Sequence, residues 1–446
     1  MGKSAAKKRQ ALAAMAPFVV EIEDLTHEGY GVARRDGKAV FVDGALPGEQ
    51  AECVYTARRS RRDDARAVHI LQPAAERVEP QCAHFGVCGG CALQHLEPTR
   101  QLALKQRWLL DSLTHIGKVR PEQVLEPITG PLWGYRRRAR LGVKWVAKKG
   151  RVLVGFRERH SAYLADVRRC EVLDPRIGGL LEPLSGLVES LSIREQIPQI
   201  EVAGGDAVLA LSVRVLAVPS EADLAKLRAF SQQYEVTFYL QTGGPDSLLP
   251  LQPDPPLLSY RLPTFDLDLI FQPSHFIQIN AAINRQLVVR AGELLHIQPQ
   301  DRVLDLFCGL GNFTLALARQ AREVIGVEGD AHLVEWARHN AARNHLTNAA
   351  FYAADLASAL EGQPWLQGGY DKILLDPPRS GALAMMPHLA ALAAQRIVYV
   401  SCHPATLARD LGELVNHCGY HLESVGVIDM FPHTAHVESI AVLVHK

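Results

Sequence analysis

No stretch of about 18 apolar residues occurs in the 446-residue chain, which excludes the usual signature of a membrane-spanning helix. A secretory leader is not expected either. The start, MGKSAAKKRQALAAMAPFVV, is basic, but its apolar part is short and diluted with alanine. Residues 1–16 therefore read as a loose basic arm, and the cytoplasm is the expected compartment. Cysteine is scarce, eight residues at uneven positions 53, 82, 88, 91, 170, 308, 402 and 418. A chain of this size in a reducing compartment needs no disulfide framework, so metal binding and catalysis are the better uses for these thiols. Net charge is absent, with 48 basic against 48 acidic residues, and no internal repeat is visible.

The balance of charge hides an asymmetry. Residues 1–170 carry 30 Lys and Arg against 18 Asp and Glu, and the remainder carries the inverse. Basic residues gather at Arg58, Arg59, Arg61 and Arg62, at Arg136, Arg137, Arg138 and Arg140, and at Lys144, Lys148 and Lys149. A front half of this sign suits a polyanion held through its phosphates, so nucleic acid is the expected partner.

The length implies two or three domains. Residues 17–73 read as short alternating strands with Gly-containing turns, a small antiparallel β-barrel of the OB-like kind that takes oligonucleotides. Residues 74–270 form a central α+β region that begins with the cysteine cluster. From 271 to 446 the order becomes regular. RVLDLF, EVIGVE, AFYAAD, KILLDP and RIVYVS are short buried-strand candidates, most of them separated by helices such as 331–344. That is α/β order, a Rossmann-like parallel sheet covered on both faces. HLESVGVIDMF and SIAVLVHK have no helix between them and are expected to close the sheet as an antiparallel pair.

Four motifs fall at strand ends on that sheet. In Asp305-Leu306-Phe307-Cys308-Gly309-Leu310-Gly311-Asn312 a strand stops in a glycine turn, which lets a ligand approach the backbone. Glu328 ends the next strand, where a carboxylate bonds a ribose diol. Thr314 stands where a GxGxxG turn needs its third glycine. With Asp355 after a third strand, acidic strand ends suit an adenosine without phosphates, and S-adenosylmethionine is such a ligand. Asp376-Pro377-Pro378-Arg379 follows the fourth strand with a stiffened turn. Cys402 follows the fifth, on the same rim, where a thiolate would be a nucleophile. Glu438 precedes the last strand. If that strand runs antiparallel beside the fifth, Glu438 joins Cys402 as an acid/base. His433 and His436 lack a partner cluster and are read as orienting or substrate contacts. In the front half, Cys82, Cys88 and Cys91, with Cys170 as the fourth ligand, form a metal site. Four thiolates suit zinc and a [4Fe–4S] cluster about equally.

Together CGLGNF, LLDPPRSG, SCHPATLARD and FPHTAHVES resemble the RNA uracil-5 methyltransferases, and the likeness runs from about residue 17 to the end. Within that family it leans to the bacterial branch acting on 23S ribosomal RNA. The front resembles a TRAM domain, and CAHFGVCGGCALQH resembles the family's iron–sulfur segment. The resemblance implies a class I methyltransferase sheet and a [4Fe–4S] cluster on Cys82, Cys88, Cys91 and Cys170. It also implies Cys402 as nucleophile, Glu438 as base, and a donor site of Gln278, Phe307, Asn312, Glu328, Asp355 and Asp376. Gln278 has no signal of its own in spacing. His403 stands where the family usually has Asn, and Pro378 where its nearest branch has alanine. The implied reaction adds Cys402 to C6 of a flipped uridine in single-stranded or remodelled RNA, methylates C5 and removes the C5 proton, by a monomer without membrane attachment. Two other readings follow from the residues: an amino-group methyltransferase, suggested by Asp376-Pro377-Pro378, and a non-catalytic RNA-binding iron–sulfur protein. Within the family, a transfer-RNA or different ribosomal uridine is the alternative substrate.

Overall fold

The structure, a computed structural model, describes residues 12, 15–358 and 360–446. The basic arm read over 1–16 lies almost wholly outside the described residues. The chain divides into two compact units, Met1–Lys105 with Pro432–His436, and Gln106–Phe431 with Val437–Lys446.

In the first unit alternating apolar residues build a six-stranded sheet. Its strands are β1 (Phe18–Glu21), β2 (Asp24–Leu25), β3 (Gly31–Arg35), β4 (Lys38–Asp43), β5 (Gln50–Arg58) and β6 (Arg62–Gln72), in the order β1-β5-β6-β4-β3-β2. Phe18, Val20, Val40, Val42, Ala51 and Cys53 point inward, as period-two alternation requires. One expectation is corrected. The sheet is not wholly antiparallel, because β6 returns from its hairpin with β5 and runs parallel to β4.

The second unit holds two large sheets and a hairpin. After β7 (Gln123–Val124) come β8 (Arg138–Val146), β9 (Arg151–Gly155), β10 (Gln199–Gly204), β11 (Leu209–Arg214), β12 (Val236–Gln241) and β13 (Leu248–Pro250), ordered β13-β12-β11-β10-β8-β9. The helix Glu221–Tyr234 makes the crossover between parallel β11 and β12, and its Phe230 packs on Phe238. β14 (Leu258–Leu262) and β15 (Leu267–Phe271) form the hairpin.

The remaining strands are β16 (Arg302–Leu306), β17 (Glu323–Glu328), β18 (Ala349–Ala353), β19 (Lys372–Leu375), β20 (Arg396–Ser401), β21 (Tyr420–Ile428) and β22 (Glu438–His445). They join β7 in an eight-stranded sheet, order β18-β17-β16-β19-β20-β22-β21-β7. All five sequence-predicted strands are parallel neighbours, and β21 and β22 form the antiparallel pair. β19 and β20 are buried at every position, the mark of a sheet covered on both faces. The order reverses between β17-β16 and β19, so a crevice opens beyond the carboxyl ends of β16 and β19. Among the described residues no helix is long and apolar enough to cross a membrane.

Candidate active site

Everything at this site hangs on strand ends. β20 and β22 are antiparallel neighbours whose last shared rung pairs Ser401 with Ser439. The Ser439 hydroxyl donates to the Ser401 carbonyl at 3.2 Å. Cys402 follows that rung on one strand and Glu438 precedes it on the other, so the thiol and the carboxyl share one rim, as expected. His403 then caps the helix Pro404–His417, its Nδ1 accepting from the Thr406 N–H at 3.4 Å, and Pro404 occupies the first helical position. His403 thus fills the capping role open to an Asn at that position.

The helix grips the loop after β19. Thr406 Oγ1 donates to the Arg379 carbonyl at 3.1 Å, Arg409 Nη2 to the Ser380 carbonyl at 2.8 Å, and the Ala382 N–H to Asp410 Oδ2 at 2.7 Å. Asp410 is fully buried and also accepts from the Tyr399 hydroxyl at 2.7 Å. Gly381 sits at φ +76°, and a Cβ there would lie 2.5 Å from the Asp410 carboxylate. Asp376 to Arg379 and Cys402 are therefore parts of one clamped piece.

Burial dominates the electrostatics. The Cys402 thiol is pushed up to about 11, by burial first and then by Glu438 and Asp376, with Arg379 opposing. Glu438, 3% exposed, holds its proton well above the usual carboxylate range, by burial first and then by Asp376, with Arg379 opposing. Asp376 is raised to about 7 by burial, against a hydrogen bond from Gln278 Nε2 at 3.4 Å. Asp305 is raised to about 7 by burial, although the Thr314 hydroxyl donates to its Oδ2 at 2.5 Å. Its Oδ1 is buried without a hydrogen-bond partner. Arg379 is the cation that acts on both Cys402 and Glu438.

Beside the pair lies the glycine turn. Phe307, Gly309 and Gly311 all have positive φ, and the space a Gly309 Cβ would take is open. Glu328 closes the turn, accepting from the Gly309 N–H at 3.0 Å and from the Gly329 N–H at 2.7 Å. Asn312 is held by reciprocal bonds to Asn284 at 2.9 and 3.0 Å and by the Tyr260 hydroxyl at 3.1 Å. Asp355 is exposed after β18 and caps its own turn through the Ala357 N–H. The structure thus joins Gln278 to Asp376 directly and places Phe307, Asn312, Glu328 and Asp355 at the ends of consecutive strands. An open glycine cradle and buried carboxyls, one with an unpartnered oxygen, fit an adenosine-linked sulfonium cation. Spacing did not reveal Asp305, Tyr260, Asn284 or Arg379 as site residues. Only the carboxyl-end position of Asp305 and the Asp-Pro-Pro-Arg turn pointed that way.

Other expectations land elsewhere. His433 is buried in the first unit, where its carbonyl accepts from the Ala92 and Leu93 N–H groups and its N–H donates to Gln101 Oε1, all at 2.9 Å. Those bonds give it a structural place. Of the basic clusters, Arg59 and Arg62 pair with Asp64, and Arg58 faces Asp63. Arg137 is buried, and Arg138 donates to the Ser274 and His275 carbonyls. Neither presents its guanidinium freely to a polyanion. Arg140 is exposed and paired with Glu201 at 2.9 Å.

Cys82, Cys88 and Cys91 lie in the first unit and Cys170 in the second, all half-buried. Cys88 Sγ accepts from the Gly90 N–H at 3.4 Å. Thiol chemistry suits a cluster, but among the described residues no group of three or more His, Cys, Asp or Glu side chains is arranged to hold a metal ion.

A parallel sheet that reverses order beside a glycine turn, with an antiparallel strand pair at one end, is the architecture of a class I methyltransferase. A crystal structure of Pyrococcus abyssi tRNA (uracil-54, C5)-methyltransferase in complex with S-adenosyl-L-homocysteine has the same fold, with TM-score 0.73, 24% identity, and 96% of this chain and 100% of that chain covered. Residues 259–446 match the family model described as tRNA (Uracil-5-)-methyltransferase, and residues 18–56 match the TRAM domain. The chain is 55% identical to the 23S rRNA (uracil(1939)-C(5))-methyltransferase RlmD of Alkalilimnicola ehrlichii, covering 96% of each. It is 52% identical to the protein of that name from Xanthomonas axonopodis pv. citri, covering 96% of this chain and 97% of the relative. The chain belongs to the RNA uracil-5 methyltransferase family.

Proposed function

We propose that this protein transfers a methyl group from S-adenosylmethionine to C5 of one uridine of 23S ribosomal RNA, giving 5-methyluridine, the activity for which its curated relatives are named. The observation that carries the reading is the shared rung of β20 and β22, which sets Cys402 and Glu438 side by side. An amino-group methyltransferase needs no thiol there, because nitrogen supplies its own lone pair.

Uracil C5 is a poor nucleophile and needs help from the chain. Cys402 gives up its proton to solvent and adds as the thiolate to C6, pushing the C5=C6 electron pair toward the carbonyl so that C5 is enolate-like. C5 then attacks the sulfonium methyl, the methyl–sulfur bond breaks, and S-adenosylhomocysteine leaves. Glu438 then removes the C5 proton, C5=C6 reforms, and the bond from C6 to Cys402 breaks. The uridine enters flipped out of its stack, since neither carbon can be reached inside one. Gln278, Phe307, Asn312, Glu328, Asp355 and Asp376 hold the donor. Its positive charge opposes the burial that keeps Asp376 and Cys402 protonated. The reading takes the protein to act as a monomer in the cytoplasm.

The [4Fe–4S] cluster on Cys82, Cys88, Cys91 and Cys170 rests on the cysteine spacing and the family resemblance. Iron and sulfide analysis of anaerobically purified protein tests it, and zinc in place of iron removes it.

Labelled S-adenosylmethionine and 23S ribosomal RNA lacking its own methylation test the main reading. Label at C5 of a single uridine is expected. Label on an exocyclic nitrogen, or no transfer, would sink it.

A further inference from the structure

Arg136, Arg137 and Arg138 are three consecutive arginines leading into β8, and charge alone marks them for RNA. Its contacts say otherwise. The Arg137 side chain is 4% exposed. Its Nε donates to the Gln278 carbonyl at 2.9 Å, and its backbone N–H to the Ile279 carbonyl at 3.0 Å. The guanidinium lies over the Tyr260 ring, 4.9 Å from the centroid, and Nη1 is 3.7 Å from Asp206 Oδ1. Both Nη atoms are buried without a hydrogen-bond partner. Arg138 holds the preceding carbonyls of the same loop, those of Ser274 and His275.

Two branches leave Arg137 and end at two residues assigned above to the donor site, Asp376 and Asn312. One runs through Gln278, whose Nε2 donates to Asp376 at 3.4 Å. The other runs through Tyr260, which is buried and whose hydroxyl donates to Asn312 Oδ1 at 3.1 Å. A planar guanidinium can bond a carbonyl at its Nε and stack on a ring at once, whereas a lysine ammonium offers a point charge and no plane. Burying an arginine without full pairing is costly, so a site that keeps one uses its geometry.

We infer that Arg137 is a positioning residue of the methyl-donor site: one buried guanidinium sets Gln278 and, through Tyr260, Asn312, and it does not contact RNA. This rests on the reading above that Gln278 and Asn312 hold the donor.

The test compares the full-length wild type with R137K, R137M and Y260F. Affinity for S-adenosylhomocysteine is measured by calorimetry, and RNA affinity by filter binding at two salt concentrations. R137K and R137M are expected to weaken S-adenosylhomocysteine binding about tenfold or more, the loss of one hydrogen bond to a charged group. Donor KM should rise, while kcat at saturating donor stays within about threefold. RNA affinity and its salt slope should not change, because no phosphate contact is lost. Y260F removes a single hydroxyl, so it folds even where R137M does not, and it should weaken S-adenosylhomocysteine about threefold through the Asn312 branch alone. Unchanged S-adenosylhomocysteine binding in both R137K and Y260F would overturn the inference. So would intact S-adenosylhomocysteine binding in R137K with a shallower RNA salt slope, which would make Arg137 a phosphate contact. A wild type that fails to bind S-adenosylhomocysteine at all would instead overturn the donor-site reading beneath it.

Discussion

Cys402 and Glu438 flank the same rung of two antiparallel strands; burial and Asp376 keep both protonated, and Glu438 adds to the hold on the Cys402 proton. Two negative charges on one buried rim are disfavoured, so thiol and carboxyl do not ionise together. This orders the chemistry. Once Cys402 is bonded to C6 its sulfur carries no charge, and an obstacle to Glu438 ionising is gone. The like-charge coupling thus favours base action after the adduct forms, when a C5 proton is there to remove.

Removing the nucleophile should separate binding from chemistry. Cys402→Ala is expected to lower methyl incorporation by at least about a thousandfold. S-adenosylhomocysteine affinity should stay within about twofold, since the sulfur is not part of the donor cradle. A variant that methylates at near-normal rate contradicts the covalent route.

Donor binding should release protons. Asp376 is raised to about 7 by burial and is therefore partly protonated at neutral pH. A sulfonium cation beside it favours the carboxylate, and a neutral thioether does so less. Calorimetry in buffers of different ionisation enthalpy near pH 7 should show more protons released with S-adenosylmethionine than with S-adenosylhomocysteine. Equal release for the two ligands goes against the cation argument.

The same shift predicts a pH-dependent stability. A folded-state value near 7 against an ordinary 3.8 means that the folded chain holds a proton the unfolded chain lacks between those values. The associated stability is full below about pH 4, falls as pH rises, and is lost above about pH 7. Asp376→Asn cannot ionise, so its unfolding temperature should gain on the wild type between about pH 5 and about pH 8. A gap that shrinks with rising pH is the contrary result.

Much of this was legible in the strands and little in the contacts between them. RVLDLF, KILLDP and RIVYVS announced buried parallel strands through short, mostly apolar runs, and Asp376 and Cys402 follow from where the last two stop. The β21–β22 pair was foreseen because no helix separates the last two strands, whereas the β20–β22 pairing that brings Glu438 in stood only as a condition. Gln278 has no local pattern. It reaches Asp376 through a loop held by Arg137 and Arg138 from another sheet, and such pairing leaves no periodicity. Charge runs likewise do not show which arginines meet solvent, for the same physical reason. Composition records that an arginine is present, while burial under Tyr260 or pairing with Asp64 decides whether it meets solvent.

The clamp between the nucleophile's helix and the Asp376–Arg379 turn should be intolerant of one carbon. Gly381→Ala adds a Cβ 2.5 Å from Asp410 and 2.6 Å from Arg409 at a positive φ. A cost of about 1–3 kcal/mol in unfolding free energy is expected, from strain and displaced hydrogen bonds. A larger proportional loss in kcat than in donor affinity should accompany it, because Arg379 moves with the turn. Denaturant unfolding beside steady-state kinetics checks both, and a neutral substitution refutes the clamp.

The most direct test freezes the reaction between adduct and release. Glu438→Gln keeps the shape of the side chain but cannot take the C5 proton. Incubated with S-adenosylmethionine and unmodified 23S ribosomal RNA, it should accumulate a protein–RNA species that survives denaturing electrophoresis. Mass spectrometry should place the link on Cys402 and the new methyl on C5. A Glu438→Gln protein that turns over freely, or that forms no such species while the wild type methylates the same RNA, would contradict the account.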